Sequence, residues 1–321
     1  MQEPLIVLLG TTAVGKTELS LELAKELDAE IISGDSMQVY KGMDIGTAKL
    51  APEKREKIPH HMLDILSPEE EFSVADFQAR VDELIPEIIE RGKVPLLVGG
   101  TALYLKALIQ GFIFPEMETD WELRERLEKE AEEKGTEYVH QKLAEVDPQL
   151  AQKLHPNDLR RVIRGIEVYR QTGKTSTYFK KQAQKRPPRY QALKIGLKRD
   201  RKEIYQRINQ RVDKMIKQGL VEEVKGLYQA GYDRDLVSMQ GLGYKEIIGY
   251  LEGEYDLEEA IRLIKRNTRH FAKRQLTWFR KDEEINWFKV AKYEIEGLVT
   301  EIITLVKNNF NFEQLKKLNL Q

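Results

Sequence analysis

Residues Gly10 to Thr17 read GTTAVGKT, the spacing G-x-x-x-x-G-K-T. That spacing suits a phosphate: glycines let the backbone come close, successive N–H groups turn inward, Lys16 adds a point charge and Thr17 offers a hydroxyl to Mg²⁺. A second stretch, ISGDSMQVYKGMDIGTAK, places Asp35 just after an apolar run, with Ser36, Gln38 and Tyr40 close behind. An Asp there is equally consistent with a magnesium ligand, a general base or a helix N-cap. A third stretch, VGGTALY, ends an apolar run on Gly99 and Gly100 and puts Thr101 at the next helix start, where a cap or a functional hydroxyl would both fit. His60 and His61, adjacent in PHHMLDI, would point to opposite sides of a strand, and no carboxylate partner stands out; they read as structural.

These groups need elements that bring them together. PLIVLLG before the phosphate loop is a buried-strand pattern, and TELSLELAKELDA after it sets Leu19, Leu23 and Leu27 on one helical face. Strands are thus expected near 5–10, 30–33, 94–98 and 191–197, separated by amphipathic helices. The pattern predicts an α/β fold: a P-loop-type parallel sheet core with helices on both faces. From Pro115 to Pro188 the alternation gives way to charged helical sequence, so residues 115–188 are expected to form a helical insertion subdomain in a core of 1–114 and 189–321. Helices follow the last strand. In one of them Ile261, Ile264, Thr268, Phe271, Gln275 and Phe279 share a face, while Arg262, Arg266, Arg269 and Lys273 share another. The Lys-, Asn- and Leu-rich C-terminal tail reads as a final amphipathic helix.

Charge is distributed unevenly along a chain of 321 residues with a formal net charge of −1. Residues 116–145 hold 11 Asp/Glu against 5 Lys/Arg, whereas 153–189 hold 2 against 11. The second block is either a solvated face or a polyanion site. Cysteine is absent, which removes disulfides, thiolate nucleophiles and zinc–thiolate sites. No apolar run is long enough to span a bilayer, and the opening lacks a leader pattern, so a cytoplasmic protein without a membrane partner is expected. There is no apolar run ending in Asp-Glu as a motor ATPase needs, and no Asp-Asp-x-x-Asp cluster of chain-elongating prenyl synthases. A small-molecule kinase using ATP, and a non-catalytic RNA binder with a vestigial phosphate loop, stay open on these residues alone.

Six stretches in one order, GTTAVGKT, GDSMQVYKGMDIGTAK, PHHMLDI, VGGTALYLKAL, NDLRRVIRGIEVY and AKRQLTWFRKD, resemble the tRNA dimethylallyltransferase (tRNA isopentenyltransferase) family from about Leu5 to Asp282. Thr11 stands where the family commonly has Pro, and Val14 where a small residue is usual; neither change removes an N–H donor. The resemblance implies transfer of a dimethylallyl group from dimethylallyl diphosphate to the exocyclic N6 amine of the adenine 3′ of the anticodon in tRNA, with release of diphosphate. It implies that Gly10, Thr11, Thr12, Ala13, Val14, Gly15, Lys16 and Thr17, together with Arg211, hold the diphosphate, with Mg²⁺ on Thr17. It also implies that Asp35 orients the amine and acts as base with Thr101 nearby. Residues Asp35, Ser36, Met37, Gln38 and Thr101 would lie beside the flipped base. Arg124 and the segment Leu159, Arg160, Arg161, Val162, Ile163 would meet the anticodon stem-loop, and the enzyme is expected to act as a monomer.

Overall fold

The structure is a computed structural model that describes residues 2–290 and 295–310. A helix covers Ile295–Asn309; the Lys-, Asn- and Leu-rich tail, for which a final amphipathic helix was expected, runs into 311–321, outside the described residues. By contact the chain divides into two compact units, Met1–Ile109 with Tyr190–Gln321, and Gln110–Arg189.

The first unit is built on six parallel strands: β1 (Glu3–Gly10), β2 (Ala29–Gly34), β3 (His60–His61), β4 (Val94–Gly99), β5 (Tyr190–Lys198) and β6 (Asn286–Lys289), in the order β3-β2-β4-β1-β5-β6. The four longer strands are those expected from the apolar runs. The two short edge strands, β3 and β6, carry too few residues for a pattern to register. The helices of this unit that matter below are α1 (Lys16–Glu26), α2 (Val74–Glu90) and α3 (Ala102–Gln110).

Strand β1 shows why the runs are continuously apolar. Ile6 and Leu8 pack on one face of the sheet with Leu19 and Leu23 of α1, while Leu5, Val7 and Leu9 pack on the other with Phe77, Val81 and Ile85 of α2. A strand covered on both faces cannot alternate apolar with polar, and a parallel sheet needs that cover. Register brings the strand ends level: Leu9 lies opposite Gly99, Gly34 opposite Gly99, and Gly10 opposite Leu197. The loops after β1, β2 and β4 therefore open at one edge, where open parallel sheets bind ligands. The close approach there demands glycine, since a Cβ on Gly99 would sit 2.5 Å from the Gly34 carbonyl oxygen.

The second unit is helical: α4 (Trp121–Lys134), α5 (Thr136–Val146), α6 (Leu159–Thr172) and α7 (Ser176–Lys185). Leu123, Leu127, Val139, Leu143, Val162, Ile163 and Ile166 form its core. Back in the first unit, α8 (Arg201–Lys217), α9 (Leu220–Gln229), α10 (Tyr244–Leu251) and α11 (Leu257–Phe279) build a helical layer with its own apolar cluster around Val212, Val224, Tyr244 and Ile264, and α12 (Ile295–Asn309) covers the sheet. No helix among the described residues is long and apolar enough to cross a membrane.

Candidate active site

A cavity of about 740 Å³ opens in the first unit over the carboxyl ends of β1, β2 and β4. Its walls include the phosphate loop from Thr12 to Thr17, Asp35 to Gln38, Thr101, and residues of α8, α10 and α11. The three stretches singled out in the sequence thus meet in one space.

The loop is shaped from outside. Ala13 takes a left-handed backbone (φ 62°), unusual for a residue with a Cβ, and Arg207 Nε of α8 donates to its carbonyl at 2.8 Å. Arg199 Nε donates to the Val14 carbonyl at 2.8 Å. Gln275 of α11, 5% exposed, ties two loops: it accepts from Thr12 N–H at 2.8 Å and donates to the Gly100 carbonyl at 2.8 Å. With carbonyls turned outward to these donors, the inward positions are left to the first N–H groups of α1, which no helix hydrogen bond occupies. Not every residue of the expected cradle faces the cavity. Gly10 and Thr11 do not line it; their carbonyls accept from Lys16 Nζ at 2.9 Å each. The Val14 side chain is buried beneath the loop, and the Thr12 N–H is already taken by Gln275.

The cations here lack carboxylate ion pairs. Lys16, Arg207 and Arg211 form none among the described residues; Arg211 reaches Thr12 Oγ1 at 3.4 Å. Burial pushes the Lys16 ammonium down to about 8, with Asp35 opposing that shift and Arg211 adding to it. Burial likewise lowers Arg211, again with Asp35 opposing. Both shifts come first from burial, and Asp35 is the carboxylate that opposes them.

Asp35 stands at the other side of that balance. Its Oδ1 accepts Met37 N–H at 2.9 Å, and it makes no other hydrogen bond among the described residues, so Oδ2 remains for a ligand. No helix starts at Asp35, which removes the N-cap alternative. Thr101 does precede α3, but its Oγ1 accepts Ser36 N–H across the sheet edge at 3.2 Å, coupling the second and third stretches. Thr17 is exposed on the cavity wall.

The α11 face read as apolar contributes Ile264, Thr268, Phe271 and Gln275 to the cavity wall. Its basic stripe is partly engaged elsewhere, Arg262 with Glu259 at 2.5 Å and Arg269 with Asn209 at 2.8 Å. His61, for which no carboxylate partner was expected, does have one: it meets Glu30 of β2 at 2.7 Å, and Glu30 also takes Arg91.

In the helical unit the candidate RNA residues divide. Arg160 and Arg161 are exposed on α6. Val162 and Ile163, 0% and 2% exposed, belong to the core; their side chains have no surface to offer an RNA, and their part is to set α6 so that the arginines before them face out. Arg124 is held bidentate by Glu167, both contacts 3.0 Å, and Arg164 reaches the same carboxylate at 2.6 Å. Burial pushes the Glu167 carboxyl up, but Arg124, Arg164 and the Asp120 N–H outweigh it and hold it below the usual carboxylate range. Leu159 is half-buried at the start of α6.

A parallel sheet with a phosphate loop after its first strand, a cation-rich cavity and an inserted helical unit define a P-loop-type α/β enzyme. Residues 38–282 match the IPP transferase family. The chain is 62% identical over 304 residues to the tRNA dimethylallyltransferase of Halothermothrix orenii, covering 95% of this chain and 93% of that one. A full-length tRNA isopentenylpyrophosphate transferase structure from Bacillus halodurans is 45% identical, with a TM-score of 0.71 over 96% of this chain and 98% of its own. A eukaryotic dimethylallyltransferase described as acting on tRNA is 29% identical, with a TM-score of 0.81 over 99% of this chain and 85% of its own. The chain belongs to the IPP transferase family and is an enzyme of the tRNA dimethylallyltransferase type, a prenyltransferase. A kinase reading is not favoured by these relatives.

Proposed function

We propose that this enzyme moves the dimethylallyl group of dimethylallyl diphosphate to the exocyclic N6 of the adenine immediately 3′ of the anticodon in tRNA, releasing diphosphate. What supports the reading is one cavity that joins cations without carboxylate ion pairs, Lys16, Arg207 and Arg211, to a carboxylate with a free oxygen, Asp35.

The first group suits a leaving diphosphate. As the allylic C–O bond breaks, its electron pair goes to the bridging oxygen, and charge grows where Lys16, Arg211 and the N-terminal N–H groups of α1 lie. The second group suits a weak nucleophile. The adenine amine lends its lone pair to the ring, so its attack on the allylic carbon gains from a carboxylate that accepts an N–H; Asp35 takes that proton as the N–C bond forms. Thr101 holds the Asp35–Gln38 turn through Ser36 N–H.

Mg²⁺ belongs to the proposal. Thr17 is a hard oxygen donor on the cavity wall, and no group of three acidic or His side chains able to hold a metal occurs among the described residues. Such a sparse set fits magnesium, which keeps waters and draws ligands from substrate phosphates; bound there, it would neutralise diphosphate charge. Arg160 and Arg161 are the proposed contacts to the anticodon stem-loop, since guanidinium suits phosphate recognition. We take the enzyme to work as a monomer in the cytoplasm.

The test is transfer of label. Incubated with Mg²⁺ and unmodified tRNA, the enzyme should move label from dimethylallyl diphosphate into tRNA and none from γ-labelled ATP. Transfer from ATP alone would overturn the reading.

A further inference from the structure

Residues Asp44 to Ala48 form neither helix nor strand, yet they are held from two sides. Glu223 of α9 accepts the N–H groups of Asp44 at 3.1 Å, Ile45 at 2.8 Å and Gly46 at 3.1 Å, and the Tyr244 hydroxyl at 2.7 Å. The Tyr244 ring lies against Gly46, where a Cβ would come within 2.4 Å of it. From the other side the buried Lys49 ammonium donates to the Tyr40 carbonyl at 2.7 Å, Asp44 at 2.8 Å and Asp64 at 2.6 Å. Charge-assisted bonds of this kind are among the stronger ones a loop can have.

What the loop carries is the Thr47 carbonyl. It accepts Gln38 Nε2 at 3.2 Å, while Gln38 Oε1 accepts the Ser33 hydroxyl at 2.9 Å. A carbonyl can only accept, so the amide nitrogen of Gln38 must face Thr47 and its oxygen must face Ser33. An amide offers two donors and two acceptor positions. One of each is used, and one of each remains on a side chain that lines the cavity with Asp35. A donor beside an acceptor matches adenine, whose ring nitrogen accepts and whose exocyclic amine donates.

We propose that Gln38 reads the acceptor base as adenine, and that Glu223 is a positioning residue that fixes the Gln38 amide through the Thr47 carbonyl. The assignment rests on the reading above, that an RNA adenine is the acceptor. Inosine puts an oxygen where adenine has its amine. With the amide unable to turn over, that oxygen faces the Gln38 acceptor and leaves polar groups unpaired. Released from Thr47, the amide could rotate and accommodate either base.

The test compares binding of anticodon stem-loops carrying adenine or inosine at the acceptor position, without donor, for the wild type, Gln38→Ala, Glu223→Gln, the double variant and Tyr244→Phe. The wild type should prefer adenine by about tenfold or more. Gln38→Ala and Glu223→Gln should each lose most of that preference, the double variant should lose no more than either single, and dimethylallyl diphosphate should bind all of them within about twofold. Tyr244→Phe, which removes one of the four donors to Glu223 and keeps the ring, should lose part of the preference even if Glu223→Gln fails to fold. Wild-type preference retained in Glu223→Gln, or in Tyr244→Phe where Glu223→Gln does not fold, would overturn the proposal, as would a multiplicative loss in the double variant. Prenyl transfer to the adenine stem-loop by the wild type is measured alongside. Its absence would sink the functional reading, whereas transfer with no adenine preference would sink only the assignment of Gln38.

Discussion

At the floor of the cavity Arg207 donates to the Ala13 carbonyl and Arg211 reaches the Thr12 hydroxyl, with no carboxylate ion-paired to either among the described residues. In the helical unit Arg124 and Arg164 converge on Glu167, whose side chain is 0% exposed. The first arrangement keeps positive charge available by giving each guanidinium a neutral acceptor. The second uses two guanidiniums to make a buried carboxylate tolerable, since a buried charge without partners is costly. Counting arginines along the chain therefore misjudges both regions. The net positive block at 153–189 overstates what an RNA can meet, because Arg164 is engaged by Glu167 and the exposed Arg161 by Asp158, while the cations of the cavity have no carboxylate ion pair among the described residues.

The largest effects are expected from removing the acceptor on one side of the cavity or the cation on the other. Asp35→Ala should lower kcat by about 10²–10⁴-fold, as loss of a positioned base does, with tRNA affinity nearly intact. Lys16→Ala should lower kcat by about 10²–10³-fold, the range for one donor to developing oxyanion charge. A parallel collapse of tRNA binding in Asp35→Ala would make the residue structural. In the helical unit, Glu167→Ala should leave two partly exposed guanidiniums and the part-buried Asp120 N–H without their acceptor and cost about 1–3 kcal/mol of local stability. Hydrogen exchange should then rise across α4 and α6 while donor affinity stays unchanged; unchanged exchange would mean that the two arginines do not depend on Glu167.

Much of the fold was legible because β1, β2, β4 and β5 are buried on both faces and so read as unbroken apolar runs. The two-residue β3 and four-residue β6 escaped because edge strands that short carry no period. The phosphate loop, Asp35 and Thr101 were legible for a local reason: each stands at a strand end, marked by glycine or by a polar residue after an apolar run. Arg199, Arg207, Gln275 and Glu223 were not. Each acts on a loop distant in sequence, as Gln275 does on Thr12, and a helix pattern records only whether a position faces the core. Gln275 illustrates the loss, since it was counted on an apolar face while its amide joins two loops. Val162 and Ile163 show the converse, sitting inside a motif that resembles an RNA contact but forming the core that presents Arg160 and Arg161.

A bound diphosphate raises the pKa of Lys16 above its free value of about 8, so binding is strongest while Lys16 is charged and weakens as pH rises through that value. The Kd for dimethylallyl diphosphate should rise by up to about tenfold per pH unit above about 8 in the wild type, and stay flatter in Lys16→Arg. Equal slopes in the two proteins would place the titrating group elsewhere. The smallest effect is expected where the cations are exposed: Arg160→Ala with Arg161→Ala should reduce the salt slope of tRNA binding by about 0.7 per lost phosphate contact. An unchanged slope would reassign that face to solvent.

Whether the phosphate loop grips a leaving group, as proposed, rather than a phosphoryl donor is decided by the bond that breaks. Dimethylallyl diphosphate labelled with ¹⁸O at the bridging oxygen is to be turned over on unmodified tRNA, and the released diphosphate and the modified nucleoside analysed by mass. Cleavage of the allylic C–O bond puts all of the ¹⁸O in diphosphate and a dimethylallyl group on N6. ¹⁸O retained on the organic product, or a nucleoside gaining phosphate mass, would contradict the account.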